Sequence, residues 1–172
     1  SAKLIAIAII VLIGIWAFNA DVFNQNFTNI WASNKFQVNP DKTLSVTALT
    51  FIGAILALSV TQVGTLFSSD AWNGLTFAGD EVVNPQKTIP RGLAIGTILV
   101  TILYLLMNFV YLSVLPLHGD PAGVDAFHRG IQFASQDRVA SAAAEVIGGP
   151  NMALFIATLI MIATFGCNNG II

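Results

Sequence analysis

Between Phe67 and Gly74 the chain sets two serines, an aspartate and an asparagine among aromatic rings: Phe67, Ser68, Ser69, Asp70, Ala71, Trp72, Asn73, Gly74. The chemistry open to these residues is recognition rather than bond-making. Asp70 offers a carboxylate to a cation, a proton or an amine, and an aspartate just before a helix also accepts bonds from free backbone amides. The two roles are compatible. Ser68, Ser69 and Asn73 are short and polar, so they leave the backbone accessible or satisfy it themselves. Phe67 and Trp72 bracket the gap and either close over a bound molecule or pack. Asp80 and Glu81, with Lys87 and Arg91, read as a surface ion cluster, since adjacent carboxylates point to different helix faces and no nucleophile accompanies them.

The setting of Asp70 gives it weight. Apolar residues make up 55 % of the 172-residue chain and charged residues 9 %, with a mean hydropathy of +0.77. Ordinary globular domains are roughly 25 % charged, so these residues are expected to face lipid. Of the nine acidic residues, only Asp70 interrupts sequence that otherwise reads as spanning. A carboxylate at membrane depth costs at least about 2.5 kcal/mol and therefore faces a cavity or a partner. A net charge of −2 provides no basic face for nucleic acid. One cysteine, and His118 and His128 outside any ligand-spaced cluster, give no metal site, no cofactor site and no disulfide framework. No Ser/His, Asp/Asp or His/Glu constellation points to an enzyme.

Four hydrophobic segments are expected to position these residues. Residues 1–18 form a first transmembrane helix and residues 19–43 an external loop. Residues 44–85 form a discontinuous transmembrane helix with its break at 67–74. A short basic loop, 86–91, is taken as cytoplasmic because short loops weigh most in the positive-inside bias. Residues 92–116 form a third transmembrane helix, with Pro90 suited to its first turn. An external loop with a short helix follows at 117–140, then a last transmembrane helix at 141–172, interrupted at Gly148-Gly149-Pro150. Gly92 and Gly96 make a GxxxG pattern that lets helices approach. Asn26-Phe27-Thr28 matches a glycosylation acceptor. The absence of an initiator methionine and of a polar tail after Ile172 leads us to expect a piece of a larger membrane protein.

An interrupted membrane helix points to a transporter's binding site, because backbone left unpaired at bilayer depth must line a cavity or be buried in protein. The upper half of such a helix ends in free carbonyls and the lower half begins with free amides. A zwitterionic amino acid fits that geometry, ammonium on carbonyls and carboxylate at the positive helix end.

The stretch from Gly64 to Arg91, GTLFSSDAWNGLTFAGDEVVNPQKTIPR, resembles the sixth helix and following loop of L-type amino acid permeases of the amino acid–polyamine–organocation superfamily. Ala2-Lys3-Leu4 is similar to the start of the family's fifth helix, and Thr164-Phe165-Gly166-Cys167-Asn168-Asn169-Gly170 to its eighth. The whole chain therefore looks like helices five to eight of a twelve-helix, bacterial-type permease.

The resemblance implies an all-α membrane protein, part of an inverted-repeat transporter fold with a discontinuous substrate-binding helix. It implies sodium-independent exchange or proton-coupled uptake of amino acids in a multi-pass protein of the cell membrane, the inner membrane of a bacterium. The expected partners are the amino acid substrate, the lipid bilayer and the remaining helices of the same permease. Carried over by position, Phe67 supplies a carbonyl to the substrate amine and acts as an aromatic gate; Ser68, Ser69 and Asp70 line the pocket beside Trp72; Asn73 lies near it. Lys3 matches a lysine that stands in for a sodium ion and reaches the region of Thr164 and Cys167. At Asp70 many carriers of neutral amino acids have glycine, so tolerance of basic side chains, or a proton site, is expected there. The rival reading is a non-transporting accessory or structural subunit that keeps a permease-like core.

Overall fold

The computed structural model describes residues 2–28, 32–68, 79 and 82–168; at residues 2–4, 6, 64, 65, 67, 68, 163 and 166–168 it describes the backbone only. The described chain is mostly helical, as a membrane protein of this composition requires, with one two-stranded β-hairpin. In chain order the elements are α1 (Ala2–Trp16), α2 (Ala20–Phe27), β1 (Asn34–Val38), β2 (Leu44–Ala48), α3 (Phe51–Ser68), α4 (Pro85–Val114), α5 (Ala126–Arg129) and α6 (Val139–Asn168). Among the described residues two helices are long and apolar enough to cross a bilayer. They are α4, whose most apolar 18-residue stretch has a mean hydropathy of 2.3, and the Val139–Ile162 part of α6, where the corresponding value is 1.7. In lipid the helix satisfies every backbone amide internally, so these sequences form helices there despite their many β-branched residues.

The chain divides into two compact units, residues 1–31, 36–45 and 103–172 in one, and residues 32–35 and 46–102 in the other. In the first, α1 and α4 run parallel, because Gly14 lies against Val110 and the Asn19 amide donates to the Ser113 carbonyl at 3.3 Å. A Cβ on Gly14 would overlap the Val110 side chain, so glycine is what allows the two helices to meet. Helix α6 runs the other way. Its Ala142 and Ala143 pack with Leu115 at the end of α4, while Ile156 lies lower, with Ile10 and Val110. Small residues at 142–144 let this helix seat closely.

Helix α6 is two helices joined at Gly149, whose φ of 76° and ψ of −174° are open to glycine alone. The interruption expected at Gly148-Gly149-Pro150 is therefore present. Within the second unit, α3 is an apolar helix with largely exposed side chains; Ser59 and Thr61 donate back to the carbonyls of Ile55 and Leu58, both at 2.8 Å. Helix α4 begins at Pro85, seven residues before the expected start at residue 92, and Pro90 falls inside it rather than in its first turn. Near the N-terminus that proline removes a single backbone bond.

The segment 19–43, expected as a loop, carries structure. Asn19 caps α2, its Oδ1 accepting from the amides of Asp21 and Val22 at 3.0 and 3.3 Å. Asp21 in the first turn faces the positive helix end. Residues 34–38 and 44–48 then pair as the hairpin, so the five residues from Leu44 are strand and α3 begins at Phe51. Alternation explains this: Phe36, Val38, Leu44 and Val46 fall on one face, Lys35, Gln37, Ser45 and Thr47 on the other. Pro40 sets the turn, Lys42 takes a left-handed φ of 62°, and the Asp41 carboxylate accepts from Thr43 Oγ1 at 2.6 Å. The short helix expected in 117–140 is α5, capped by Asp125.

Candidate functional site

Phe67 and Ser68 are the last two residues of α3. The remaining residues singled out at the gap, Ser69, Asp70, Trp72 and Asn73, lie outside the described residues, as do the side chains of Phe67 and Ser68. Lys3 lies in the first turn of α1 and Cys167 in the last turn of α6, both described in backbone only. Thr164 is described in full: its Oγ1 donates to the Ile160 carbonyl at 2.9 Å, which leaves the hydroxyl oxygen free to accept.

The packing of α1 against α6 bears on that second set. The helices are antiparallel and meet at Ile10 and Ile156. At 1.5 Å per residue, Lys3 lies about 10 Å along α1 from Ile10, and Thr164 about 12 Å along α6 from Ile156, in the same direction. The backbones of Lys3 and Thr164 thus fall near one level of the helix pair, with Cys167 about one turn of α6 farther on.

Nearer the other end, α1 and α6 leave a shallow apolar groove between Ile9 and Ile13 on one side and Ala144, Met152 and Ile156 on the other. These side chains give a charged or zwitterionic molecule nothing to bond to, so the groove does not serve a polar substrate. Among the described residues no three His, Cys, Asp or Glu side chains are placed to hold a metal ion.

A polar assembly that sequence reasoning had read differently sits where α4 ends. Asn26 Nδ2 donates to the carbonyls of Leu112 and Leu115 at 2.8 and 2.9 Å, and its Oδ1 accepts from the Leu117 amide at 2.6 Å. Both halves of the amide are engaged with backbone that the helix end leaves unpaired. The acceptor motif Asn26-Phe27-Thr28 therefore has its modifiable nitrogen committed, within a helix. The only sequence signal was an asparagine four residues from Val22, on the same face.

Beyond α4 the chain folds back on itself. The amides of Ile131 and Gln132 donate to the carbonyls of Pro116 and Leu117, and the Asp120 amide to that of His128. Asp125 accepts from the His128 amide and faces His128 Nδ1, both at 2.7 Å. These bonds, led by that from the backbone amide, hold the Asp125 carboxyl below its ordinary range. The bonds from Thr43, its hydroxyl first, do the same for Asp41 in the hairpin turn. The His118 ring lies 4.7 Å from that of Phe36, so hairpin and returning loop touch.

Comparison with known proteins supplies what the described side chains do not. Residues 1–172 match the family described as amino acid permease. A serine/threonine exchanger of Bacillus subtilis is 30 % identical over 98 % of the chain and 30 % of the exchanger. The mouse b(0,+)-type amino acid transporter 1 is 31 % identical over 67 % of the chain and 20 % of that transporter. The mouse Asc-type amino acid transporter 1 is 26 % identical over 89 % of the chain and 27 % of its own length. The chain thus spans less than a third of these relatives, which are transporters and exchangers, not enzymes. No solved structure gives a significant match.

Proposed function

The chain belongs to the amino acid permease family, and from that premise we propose that the full-length protein moves amino acids across a membrane by secondary-active alternating access. The observation that carries this reading is the family match along the whole chain, which includes the Phe67–Asn73 motif. In this reading α3 is the first half of a discontinuous helix within an inverted-repeat fold. The substrate ammonium rests on carbonyls at its end, with Phe67 as gate. Ser68, Ser69 and Asp70 line the pocket, with Trp72 and Asn73 beside it.

Transport is sodium-independent exchange or proton-coupled uptake, in the inner membrane of a bacterium. Lys3 supports that reading, since its backbone falls near the level of Thr164 on the packed α1–α6 pair. An ammonium there supplies the positive charge that a sodium ion otherwise brings, and the Thr164 oxygen is available to accept from it.

Counterflow in proteoliposomes tests the proposal. The full-length protein, loaded with unlabelled alanine, is given labelled alanine and competing neutral, basic and acidic amino acids, with and without sodium or a proton gradient. Accumulation without sodium supports the reading. Folded protein that moves no amino acid under any gradient overturns it in favour of an accessory subunit.

A further inference from the structure

We propose that α2 is a membrane-surface helix, lying in the plane of the bilayer with an aromatic cluster at the level of the lipid headgroups. Its angle is the first observation: α2 turns 100° from α1. Helix α1 stands parallel and close to α4, a helix fit to span, so a segment at right angles to α1 lies along the membrane surface. The turn comes at the level where α4 ends, since Asn19, the cap of α2, bonds to Ser113.

The three faces of α2 are the second observation. Val22 is buried and Asn26 is bonded to the end of α4, which fixes one face on protein. Asp21, Asn24, Gln25 and Thr28 are exposed and polar, which suits water. Phe23 and Phe27 form the third face. The Phe23 ring lies 4.7 Å from Phe27, 5.7 Å from Phe18 and 5.4 Å from Phe109.

The occupant of that third face follows from continuity. Phe109 lies one and two turns beyond Leu105 and Ile102, both exposed, on the same side of α4. The cluster thus extends an apolar side of α4 that the described residues leave uncovered. Trp16, at the corner between α1 and α2, is 85 % exposed, and Phe27 is 40 % exposed. Aromatic side chains collect at the membrane–water boundary, and an amphipathic helix there buries one face while wetting the other. The partner is therefore the headgroup and upper acyl region of the bilayer.

Nitroxide collision measurements on the full-length protein in phosphatidylcholine–phosphatidylglycerol vesicles test this without reference to transport. Labels are attached at Trp16→Cys, Phe27→Cys and Gln25→Cys in a background from which Cys167 and every other native cysteine have been removed. The proposal expects oxygen collisions to exceed nickel-chelate collisions at 16 and 27, with the ratio inverted at 25. If both reagents are excluded at 16 and 27, other protein covers the face and the proposal fails. It fails equally if the chelate dominates at all three positions, as for a loop in water, or if oxygen dominates at 25, as for a segment that enters the bilayer core. Trp16→Cys replaces an exposed side chain and carries the lipid arm alone if Phe27→Cys does not fold.

Discussion

Asn26 donates its side-chain amide to the carbonyl of Leu115 at 2.9 Å, across 89 positions of chain. Leu115 is itself fully buried, and the same amide reaches Leu112 while its oxygen takes the Leu117 amide. Three backbone groups at the end of a spanning helix thus depend on one side chain. Asn26→Ala leaves them without a partner and is expected to destabilise the protein by about 1–3 kcal/mol. Asn26→Asp, similar in shape, keeps the acceptor but loses both donors and should be no better. Thermal unfolding in detergent reads both. A Tm unchanged in both variants would show that water replaces the amide at no cost.

Gly149 tests backbone strain apart from crowding. A Cβ placed there meets nothing within 4 Å, yet the backbone conformation is one that other residues avoid. Gly149→Ala is therefore expected to cost about 1–3 kcal/mol through strain alone, or to straighten α6. A lower Tm, or altered proteolysis around the kink, marks either result. Unchanged stability and cleavage would mean that the kink does not depend on glycine.

Gly14 tests the opposite. Its backbone sits in a regular helix, and the space beside it is filled by Val110. Overpacking of this kind typically costs about 1–3 kcal/mol, so Gly14→Ala should lower stability. Val110→Ala removes the overlapping methyl groups, and the double variant should be less destabilised than the two single effects summed. Strict additivity in a double-mutant cycle would mean that α1 and α4 do not meet at this point.

Asp125 carries a pH dependence whose sign is fixed by its bonds. The His128 amide and ring hold its carboxyl below the usual range, so the folded state prefers the ionised form. That stabilisation is fully present above the unfolded-state value of about 3.9 and is lost as pH falls through the lower folded value. Acid should loosen the 115–138 loop, with less effect in Asp125→Asn, which retains a capping oxygen without the charge. Amide exchange of His128 and Gly130 between neutral pH and pH 3 follows this. Equal acid sensitivity in variant and parent would place the effect elsewhere.

How far the fold was legible depended on what each segment had to satisfy. The helices around α4 and α6 were evident because a bilayer demands long uncharged runs, and the break at Gly149 was evident because Gly-Gly-Pro cannot continue a helix. The strand at Leu44–Ala48 was hidden inside an apolar run, because lipid-facing helix and half-exposed strand draw on the same residues. Only the alternation of Val46 and Leu44 with Ser45 and Thr47 distinguished it. Helix α2 was missed because eight residues make too short a periodic signal, and its stability comes from the Asn19 cap and the end of α4. Asn26 was read through its local motif, although its partners lie more than 80 positions away. The binding gap was legible as chemistry in Ser68, Ser69, Asp70 and Asn73, through residue types alone.

Asp70 is where the proposed function is most exposed to test. Lipid makes an unpaired carboxylate costly, so in this reading its charge is retained to meet a charge on the substrate or a proton. Asp70→Asn keeps the shape and capping ability of the side chain and removes the charge. If the carboxylate recognises basic side chains, competition by lysine or arginine in counterflow should fall by tenfold or more, on the order of 1.4 kcal/mol or more, while neutral amino acids compete as before. If it carries the coupled proton, uptake driven by a pH gradient should disappear while counterflow of neutral substrates persists. Unchanged competition by every substrate and unchanged pH-driven uptake would remove Asp70 from both roles and leave it as the cap of the second half-helix. Equal loss of basic and neutral substrates would point instead to coupling or folding.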